Sequence, residues 1–193
     1  MTRFVTSLLF ILPLFCMSAS ADDSHEEAIR ALYDSDIKLR LDSPLIVAAV
    51  NEQNQKHADF SQSKIDKLGQ QWRAETAGSE QPLIEKVLST DLSDYLKEVK
   101  EQAHGLYTEI FIMDAKGLNV VQSDVTSDYW QGDESKWLGT FNVGAGAMHI
   151  GEIEEDESTQ MFQSQFSVTV VDPDTGSPIG AVTIGINVGD LLQ

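Results

Sequence analysis

Cysteine is almost absent from this 193-residue chain, since Cys16 near the amino terminus is the only one. A chain that loses Cys16 with a leader can form no disulfide and no thiol site, so its fold depends on its core. Histidine is also scarce, and its four positions match none of the spacings typical of a zinc site: His25, His57, His104 and His149. We therefore expect no metal and no other cofactor.

Basic residues are few as well. The chain has 13 lysines and arginines against 31 aspartates and glutamates, for a net charge of −18. A molecule with this charge is repelled by phosphate backbones and by anionic membrane surfaces. The composition therefore excludes nucleic acid as a partner, and it favours a well-dissolved domain that discriminates among its ligands by charge.

No apolar run is long enough to cross a bilayer, which takes about 20 residues. The longest, Phe4–Cys16, follows a basic residue and leads to the small residues of Ala19–Ala21. This order predicts a signal peptide over residues 1–21 and a mature domain over 22–193, located in the periplasm. Two alternatives stay open, an uncleaved amino-terminal anchor and a lipid attached to Cys16.

Helical periodicity dominates the first half of the predicted mature chain. Apolar residues recur every three or four positions over 24–54, 61–77 and 81–104, which predicts three helices in a helical part of about 24–104. Pro44 interrupts the first pattern and predicts a kink or a restart there, because proline lacks a backbone donor. Gly105 predicts the end of the third helix.

The period then changes to two, which indicates strands over about 106–190. We expect them at these positions: 107–113, 118–123, 138–143, 148–153, 161–171 and 178–188. Polar turns that end in Gly117 and Gly176 join two of the pairs, and both glycines are predicted to have positive φ. Long amino-terminal helices followed by one antiparallel sheet predict the α+β class, with no internal division of the mature chain.

Motifs for catalysis or metal binding are weak. The spacing of Asp172, Asp174 and Gly176 is similar to the start of a calcium loop, but the later ligands of such a loop are missing. A hairpin turn explains the same residues without a metal. Because the chain also lacks a Gly-x-Ser-x-Gly elbow, the sequence predicts a binding protein rather than an enzyme.

One connection between strands is unusually aromatic. Residues 128–137 hold two of the three tryptophans, together with several carboxylates. Aromatic area beside a few polar groups is typical of a small-molecule site, and this predicts a pocket lined by Tyr129, Trp130, Asp133 and Trp137. The alternative is a loop that Trp130 and Trp137 merely fasten to the sheet.

Alternation on the strand over 161–171 places Gln163 and Gln165 on one face and Phe166 on the other. We expect the apolar face to pack on the first helix and the two glutamines to lie beneath the aromatic loop, with His149 on the neighbouring strand. A plain solvent-facing sheet is the alternative. The predicted ligand is a small polar metabolite: the loop carboxylates favour a cationic or hydroxyl-rich compound, whereas Lys136 favours a carboxylate.

Three segments of the chain resemble Cache domains, the extracellular PAS-like (PDC-type) sensor modules. Ile110–Ser123 is similar to their first hairpin and Val170–Ile186 to their closing hairpin, while the helical segment Ser43–Asn51 fits their long first helix. The resemblance implies a single Cache domain that binds a small ligand between its sheet and the covering loops. It also implies a membrane-bound receptor or a sensor kinase as the signalling partner.

The leader and the chain end at Gln193, soon after the last predicted strand, differ from the membrane-anchored members of that family. We therefore expect a soluble periplasmic small-molecule-binding sensor module without an output domain of its own. The alternative function is a ligand-free docking partner or accessory of a membrane receptor or histidine kinase. A homodimer through the long amino-terminal helix is a further expectation.

Overall fold

Helices precede strands along the chain, which confirms the predicted α+β class. The structure, a computed structural model, describes residues 21–155 and 161–193, so the predicted leader up to residue 20 lies outside it, as does part of the acidic run over 152–157. The helices are α1 (Ala21–Leu32), α2 (Lys38–Leu41), α3 (Pro44–His57), α4 (Gln62–Thr76), α5 (Pro82–Leu88), α6 (Asp91–Gln102), α7 (Ser135–Leu138) and α8 (Val188–Leu191). The strands are β1 (Tyr107–Asp114), β2 (Asn119–Gln122), β3 (Met148–Ile150), β4 (Glu154–Glu155), β5 (Phe162–Val171) and β6 (Pro178–Asn187). None of the described helices is long and apolar enough to span a membrane.

The predicted helix over 24–54 is not continuous. A π-helical turn, Tyr33–Ile37, separates α1 from α2, and the chain leaves the helical conformation at Asp42. Pro44 then starts α3, as its position predicts, because proline is tolerated in the first turn of a helix. The apolar spacing is helical on both sides of the break and therefore does not show it.

The predicted helix over 81–104 is two helices, and the prediction of one was wrong. The hydroxyl of Thr90 accepts a hydrogen bond from the Ser93 N–H at 3.0 Å and so caps the start of α6. The Ser93 hydroxyl donates to the Val87 carbonyl at 2.7 Å, which occupies an unpaired acceptor at the end of α5. Short polar residues next to a helix end compete for its backbone groups, and this signal was missed.

The strands form one antiparallel sheet in the order β2-β1-β6-β5-β3, with β4 also paired to β5. The turn between β1 and β2 and the turn between β5 and β6 are the two predicted hairpin turns, and Gly117 (φ 77°) and Gly176 (φ 70°) have the predicted positive φ. At the second turn the Asp172 carboxylate accepts the Asp174 N–H at 2.9 Å. This contact is the one expected of an Asx turn, which explains the aspartate without a cation.

The predicted strand over 138–143 was wrong, and the one over 148–153 is shorter than expected. Residues 135–144 form α7 and a series of turns. Trp137 and Phe141, four residues apart, stack with ring centroids 5.0 Å apart. Both pack on the sheet beside Phe111 and Met113. The packing of these two aromatic residues at helical spacing favours turns and a short helix over the strand that the apolar alternation around them predicts.

The inner face of the sheet, which is the face towards the helices, holds the main core. Its buried strand residues alternate along each strand as predicted and pack against α1, α3 and α6: Ile110, Ile112, Phe166, Val168, Val182, Ile184 and Ile186. Phe162, at the start of β5, is an exception, since 57% of its surface is exposed. The opposite, outer face carries the candidate site.

Candidate ligand-binding site on the outer sheet face

The outer face is organised in rows that run across β1, β6 and β5. At one end Glu109 and Gln165 both pair with Gly185 of the central strand. The next rows are Phe111, Thr183 and Ser167, and then Met113, Ala181 and Thr169. These residues alternate with the core residues and therefore all lie on the outer face. This face has a polar corner around Glu109 and Gln165 and an apolar corner around Phe111, Met113 and Ala181.

The apolar corner is covered by the chain between β2 and β3. Trp137 and Phe141 pack against Phe111, Met113 and Ala181. The indole N–H of Trp137 donates to the backbone carbonyl of Asp114 at 3.2 Å, which fixes the covering segment to β1. Trp137 therefore has the fastening role that the sequence left open.

Trp130 fastens the same segment at a second point. Its indole N–H donates to the Lys116 carbonyl at 2.8 Å, and the Gln131 N–H donates to the Gly117 carbonyl at 2.7 Å. The two chains approach so closely that a Cβ on Gly117 would lie 2.5 Å from the Gly132 backbone. The covering segment is thus held against the β1–β2 turn by two hydrogen bonds and a close backbone contact.

Asp114 in turn holds this turn against α3. One carboxylate oxygen accepts the N–H groups of Lys116 (2.8 Å) and Leu118 (2.9 Å). The other lies 2.7 Å from Nδ1 of His57 and accepts from Gln53 Nε2 at 3.1 Å. The Asp114 side chain is fully buried, so these partners replace the water that it loses.

The polar corner is not covered by any residue of 21–155 or 161–193, and it forms a cleft of about 540 Å³, here called the sheet-face cleft. Its floor consists of Gln163 and Gln165. Its walls come from α7 and from the chain around β3 and β4: Glu134, Ser135, Lys136, His149, Ile150, Gly151, Glu152 and Glu154. A neighbouring cleft of about 280 Å³ shares Lys136 and the two glutamines and adds Glu109.

The floor groups are held by side chains that reach across the central strand. Gln165 donates from Nε2 to Glu109 Oε1 at 2.8 Å, and the Thr108 hydroxyl donates to Gln163 Oε1 at 2.7 Å. Both hydrogen bonds pass over Gly185, where a Cβ would clash with Thr108 and lie 2.9 Å from Glu109 Cγ. Since neighbouring strands are about 4.8 Å apart, only a residue without a side chain lets β1 and β5 meet in this way.

Lys136 is the only lysine or arginine that lines the sheet-face cleft among the described residues. Its ammonium lies 3.0 Å from Glu134 Oε2 and donates to Gln131 Oε1 at 3.2 Å. The same ammonium is 5.7 Å from the centre of the Phe111 ring. With its side chain 12% exposed, Lys136 is already engaged on several sides.

The structure divides the predicted site residues between places. His149, Gln163 and Gln165 come together in the sheet-face cleft. Trp130 and Asp133 lie in a different cleft of about 630 Å³ beside α4, the α4 cleft, whose other lining residues are Ile65, Asp66, Gly69, Gln70, Arg73, Asp128 and Glu134.

Tyr129 and Trp137 line neither cleft. Tyr129 is buried and stacks on Trp72 with ring centroids 5.2 Å apart, and burial raises the pKa of its hydroxyl. Trp137 lies on the apolar corner.

Glu109 was missed by the sequence analysis. It follows Thr108, and the two form a polar step in an otherwise apolar strand. A bulge between Tyr107 and Glu109 brings that step onto the outer face. A carboxylate in a strand of mostly apolar residues is the signal that could have identified it.

The two clefts differ in how firmly their polar groups are held. In the α4 cleft the closest polar contact joins Arg73 and Asp128 at 2.6 Å, but more than half of the Arg73 side chain is exposed. In the sheet-face cleft the floor lies on hydrogen-bonded strands. Groups on rigid elements with fixed partners are better preorganised for binding, which favours the sheet-face cleft.

No protein-family model and no curated protein matches the sequence. Solved structures do resemble it. The sensor domain of the V. cholerae histidine kinase DctB is 12% identical with a TM-score of 0.45, over 88% of this chain and 54% of that one. The sensory domain of the Campylobacter jejuni chemoreceptor Tlp3 with isoleucine bound is 10% identical with a TM-score of 0.39, over 88% and 64%.

The extracellular domain of the putative histidine kinase rpHK1S-Z16 is 16% identical with a TM-score of 0.41, over 81% of this chain and 59% of that one. The chain thus spans between about half and two thirds of these structures. All three are sensor, sensory or extracellular domains.

Proposed function

We propose that this protein is an extracytoplasmic sensor module that binds a small polar molecule in the sheet-face cleft. The proposal rests on the polar corner of the outer face, where Gln163, Gln165 and His149 line one concavity. Its volume of about 540 Å³ lies within the range of about 300–1,000 Å³ that is usual for small-molecule sites.

The contrast with the rest of the sheet supports this assignment. The inner face and the apolar corner are covered by helices or by aromatic side chains, whereas none of the residues that the structure describes covers the polar corner. The groups there are not simply solvated, because each floor glutamine has a partner that sets its orientation. Polar groups with fixed orientation in a concave site give a ligand its specificity.

A thermal-shift screen of amino acids, amines, organic acids and nucleobases tests the proposal. We expect a compound that raises the melting temperature of the wild type and loses this effect in Gln165→Ala. The matched control is Gln70→Ala, which removes the same side chain from the α4 cleft. Loss in Gln70→Ala with a normal response in Gln165→Ala would move the ligand to the α4 cleft, and a screen without a hit would refute a small-molecule site.

Location outside the cytoplasm is part of the same proposal. Residues 1–21 would act as the signal peptide, and the mature chain of residues 22–193 would begin at Asp22. The mass of the protein recovered from a periplasmic fraction checks this, with the loss of residues 1–21 as the expected result. A full-length or acylated chain would contradict it.

A second candidate function, docking on a receptor or on a second copy, is favoured by two exposed leucines. Leu39 of α2 is 75% exposed and Leu45 of α3 is 69% exposed. Both lie on the helical layer, where we predicted the homodimer. Analytical ultracentrifugation of the wild type and of a Leu39→Glu, Leu45→Glu double variant tests self-association, with a dimer that the variant lacks as the supporting result. A monomeric wild type would exclude self-association, and the docking hypothesis would then require a different protein as the partner.

A further inference from the structure

We infer that the ligand of the sheet-face cleft carries a protonated amine, bound by Gln165 of the floor and by Glu109, which lines the neighbouring cleft beside it. This inference rests on the proposed function and narrows its ligand class. It follows from the orientation of one amide, the absence of a side chain at Gly185, and the balance of charge around the cleft. The amine would lie above the row formed by Glu109 of β1, Gly185 of β6 and Gln165 of β5.

The orientation of the Gln165 amide is determined by its partner. Glu109 is a carboxylate, which as an ion accepts hydrogen bonds and donates none, so the Gln165 group facing it at 2.8 Å has to be the donor Nε2. The carbonyl Oε1 of Gln165 therefore faces away from Glu109. No described residue donates a hydrogen bond to that oxygen, and it is an acceptor at the floor of the cleft.

Gly185 makes this arrangement possible. Glu109 and Gln165 lie on strands separated by β6, and both are paired in register with Gly185. A side chain there would separate the carboxylate from the amide, because a Cβ would lie 2.9 Å from Glu109 Cγ. With glycine, the Glu109 carboxylate and the Gln165 amide lie side by side, so that one ligand can contact the carboxylate and the amide carbonyl. Such a pair is suited to a cationic donor, since hydrogen bonds to charged groups are stronger than neutral ones.

The charges around the cleft favour the same class of ligand. The single lysine of the lining, Lys136, is 3.0 Å from Glu134, so its charge is already compensated. Glu152 and Glu154 add two further carboxylates at the wall. A cleft with an excess of one sign of charge concentrates ligands of the opposite sign. A carboxylate ligand would have to displace Glu134 from Lys136 and approach the other acids.

Three four-carbon probes that differ in charge test the inference by calorimetry: 1,4-diaminobutane, butane-1,4-diol and succinate. We expect the purified protein to bind the diamine and to bind the diol and succinate at least about ten-fold more weakly, which corresponds to about 1.4 kcal/mol. Glu109→Gln should weaken diamine binding about ten-fold or more, in line with the loss of a charged hydrogen bond.

Asp133→Asn is the matched control, because it removes the same charge from the α4 cleft. Its diamine affinity should stay within about two-fold of the wild type, as expected for a charge outside the site. Gly185→Ala should weaken diamine binding as much as Glu109→Gln does, although this substitution changes no charge and no hydrogen-bonding side chain of the protein. Gln165→Met provides a second variant in case Glu109→Gln fails to fold, which melting without a ligand shows.

Each other outcome has a distinct meaning. Equal binding of the three probes, or tighter binding of succinate, would overturn the inference and leave a small-molecule site in place. Loss of diamine binding in Asp133→Asn but not in Glu109→Gln would place the cation in the α4 cleft and overturn it as well. If the diamine fails while a compound of another class binds in a Gln165-dependent manner, the ligand class is wrong but the proposed function stands. If no compound of either set binds, the proposed function fails too.

Discussion

The two faces of one sheet differ sharply in this protein. On the inner face, Phe166 and Ile184 are buried under the helices. Their neighbours along the two strands, Gln165 and Gly185, belong to the polar corner of the outer face. The backbone hydrogen bonds are common to both faces, so the strands are equally rigid for both. The large apolar interface on one face therefore supplies stability, and the other face can carry polar groups that a packed core would not tolerate.

The largest expected effect comes from a pair of substitutions on neighbouring residues of β5. Phe166→Ala removes a fully buried ring and should lower the free energy of unfolding by about 3–5 kcal/mol, because it leaves a cavity in the core. Gln165→Ala, on the opposite face, should change it by about 0.5 kcal/mol or less, as is usual for surface positions. Urea unfolding followed by circular dichroism measures both.

A loss of several kcal/mol in Gln165→Ala would show that the polar floor is structural. In that case the bond from Gln165 to Glu109 would serve to hold β5 to β1 rather than to prepare a site. Wild-type stability in Phe166→Ala would mean that the helices do not depend on the inner face.

A smaller effect is expected at the turns, where two glycines with positive φ differ in their surroundings. Gly176→Ala should cost on the order of 1 kcal/mol, from backbone strain alone, because nothing lies within 4 Å of the added Cβ. Gly117→Ala should cost more, on the order of 1–3 kcal/mol of strain together with a clash, since its Cβ would meet the Gly132 backbone at 2.5 Å. Thermal melting of both variants measures the difference.

The close contact between Gly117 and Gly132 holds the segment between β2 and β3 on the outer face. Gly117→Ala should therefore also loosen that segment. Amide hydrogen exchange over residues 128–137 should become faster in Gly117→Ala and stay unchanged in Gly176→Ala. Equal exchange in the two variants would show that the tryptophan contacts suffice to hold the covering segment.

The smallest effect concerns pH and the edge of the inner face. Asp36 accepts hydrogen bonds from Arg40 Nε (2.7 Å) and from the Tyr107 hydroxyl (2.5 Å). The bond from Arg40 lowers the pKa of Asp36 below its ordinary value, burial opposes it, and Tyr107 adds to the lowering. A carboxyl whose pKa is lowered on folding stabilises the protein fully above its unfolded pKa, and this contribution disappears as the pH falls through the folded pKa.

We therefore expect wild-type stability to fall as the pH drops below about 4, the ordinary pKa of an aspartate, partly through Asp36 and otherwise through the other carboxylates. In Asp36→Asn this fall should be shallower, and the two proteins should converge at the acid end. Urea midpoints measured at several pH values provide the test, with Asp59→Asn as the control at an exposed carboxylate that has no ion-pair partner among the described residues. Parallel pH profiles of wild type and Asp36→Asn would exclude a stabilising role for this carboxylate.

Periodicity predicted most of the elements correctly and failed at specific places. The turns at Gly117 and Gly176 and the alternation of Gln165 with Phe166 were predictable because each depends on neighbouring residues only. The break between α5 and α6 was not, because Thr90 and Ser93 cap the helices through polar contacts that leave the apolar spacing intact. The strand predicted over 138–143 failed because Trp137 and Phe141 pack on distant Phe111.

The α+β order of elements, the acidic character of the molecule, and the place of Gln163, Gln165 and His149 on one sheet face are all predictable from the sequence. These follow from local geometry, since a strand alternates its side chains and a helix repeats every 3.6 residues. The packing roles of Tyr129 and Trp137, and the position of Trp130 and Asp133 in another cleft, depend on long-range contacts. So does the contact of Glu109 with Gln165 over Gly185, because strand order sets which distant residues share a row, and that order depends on how the whole chain buries its apolar surface.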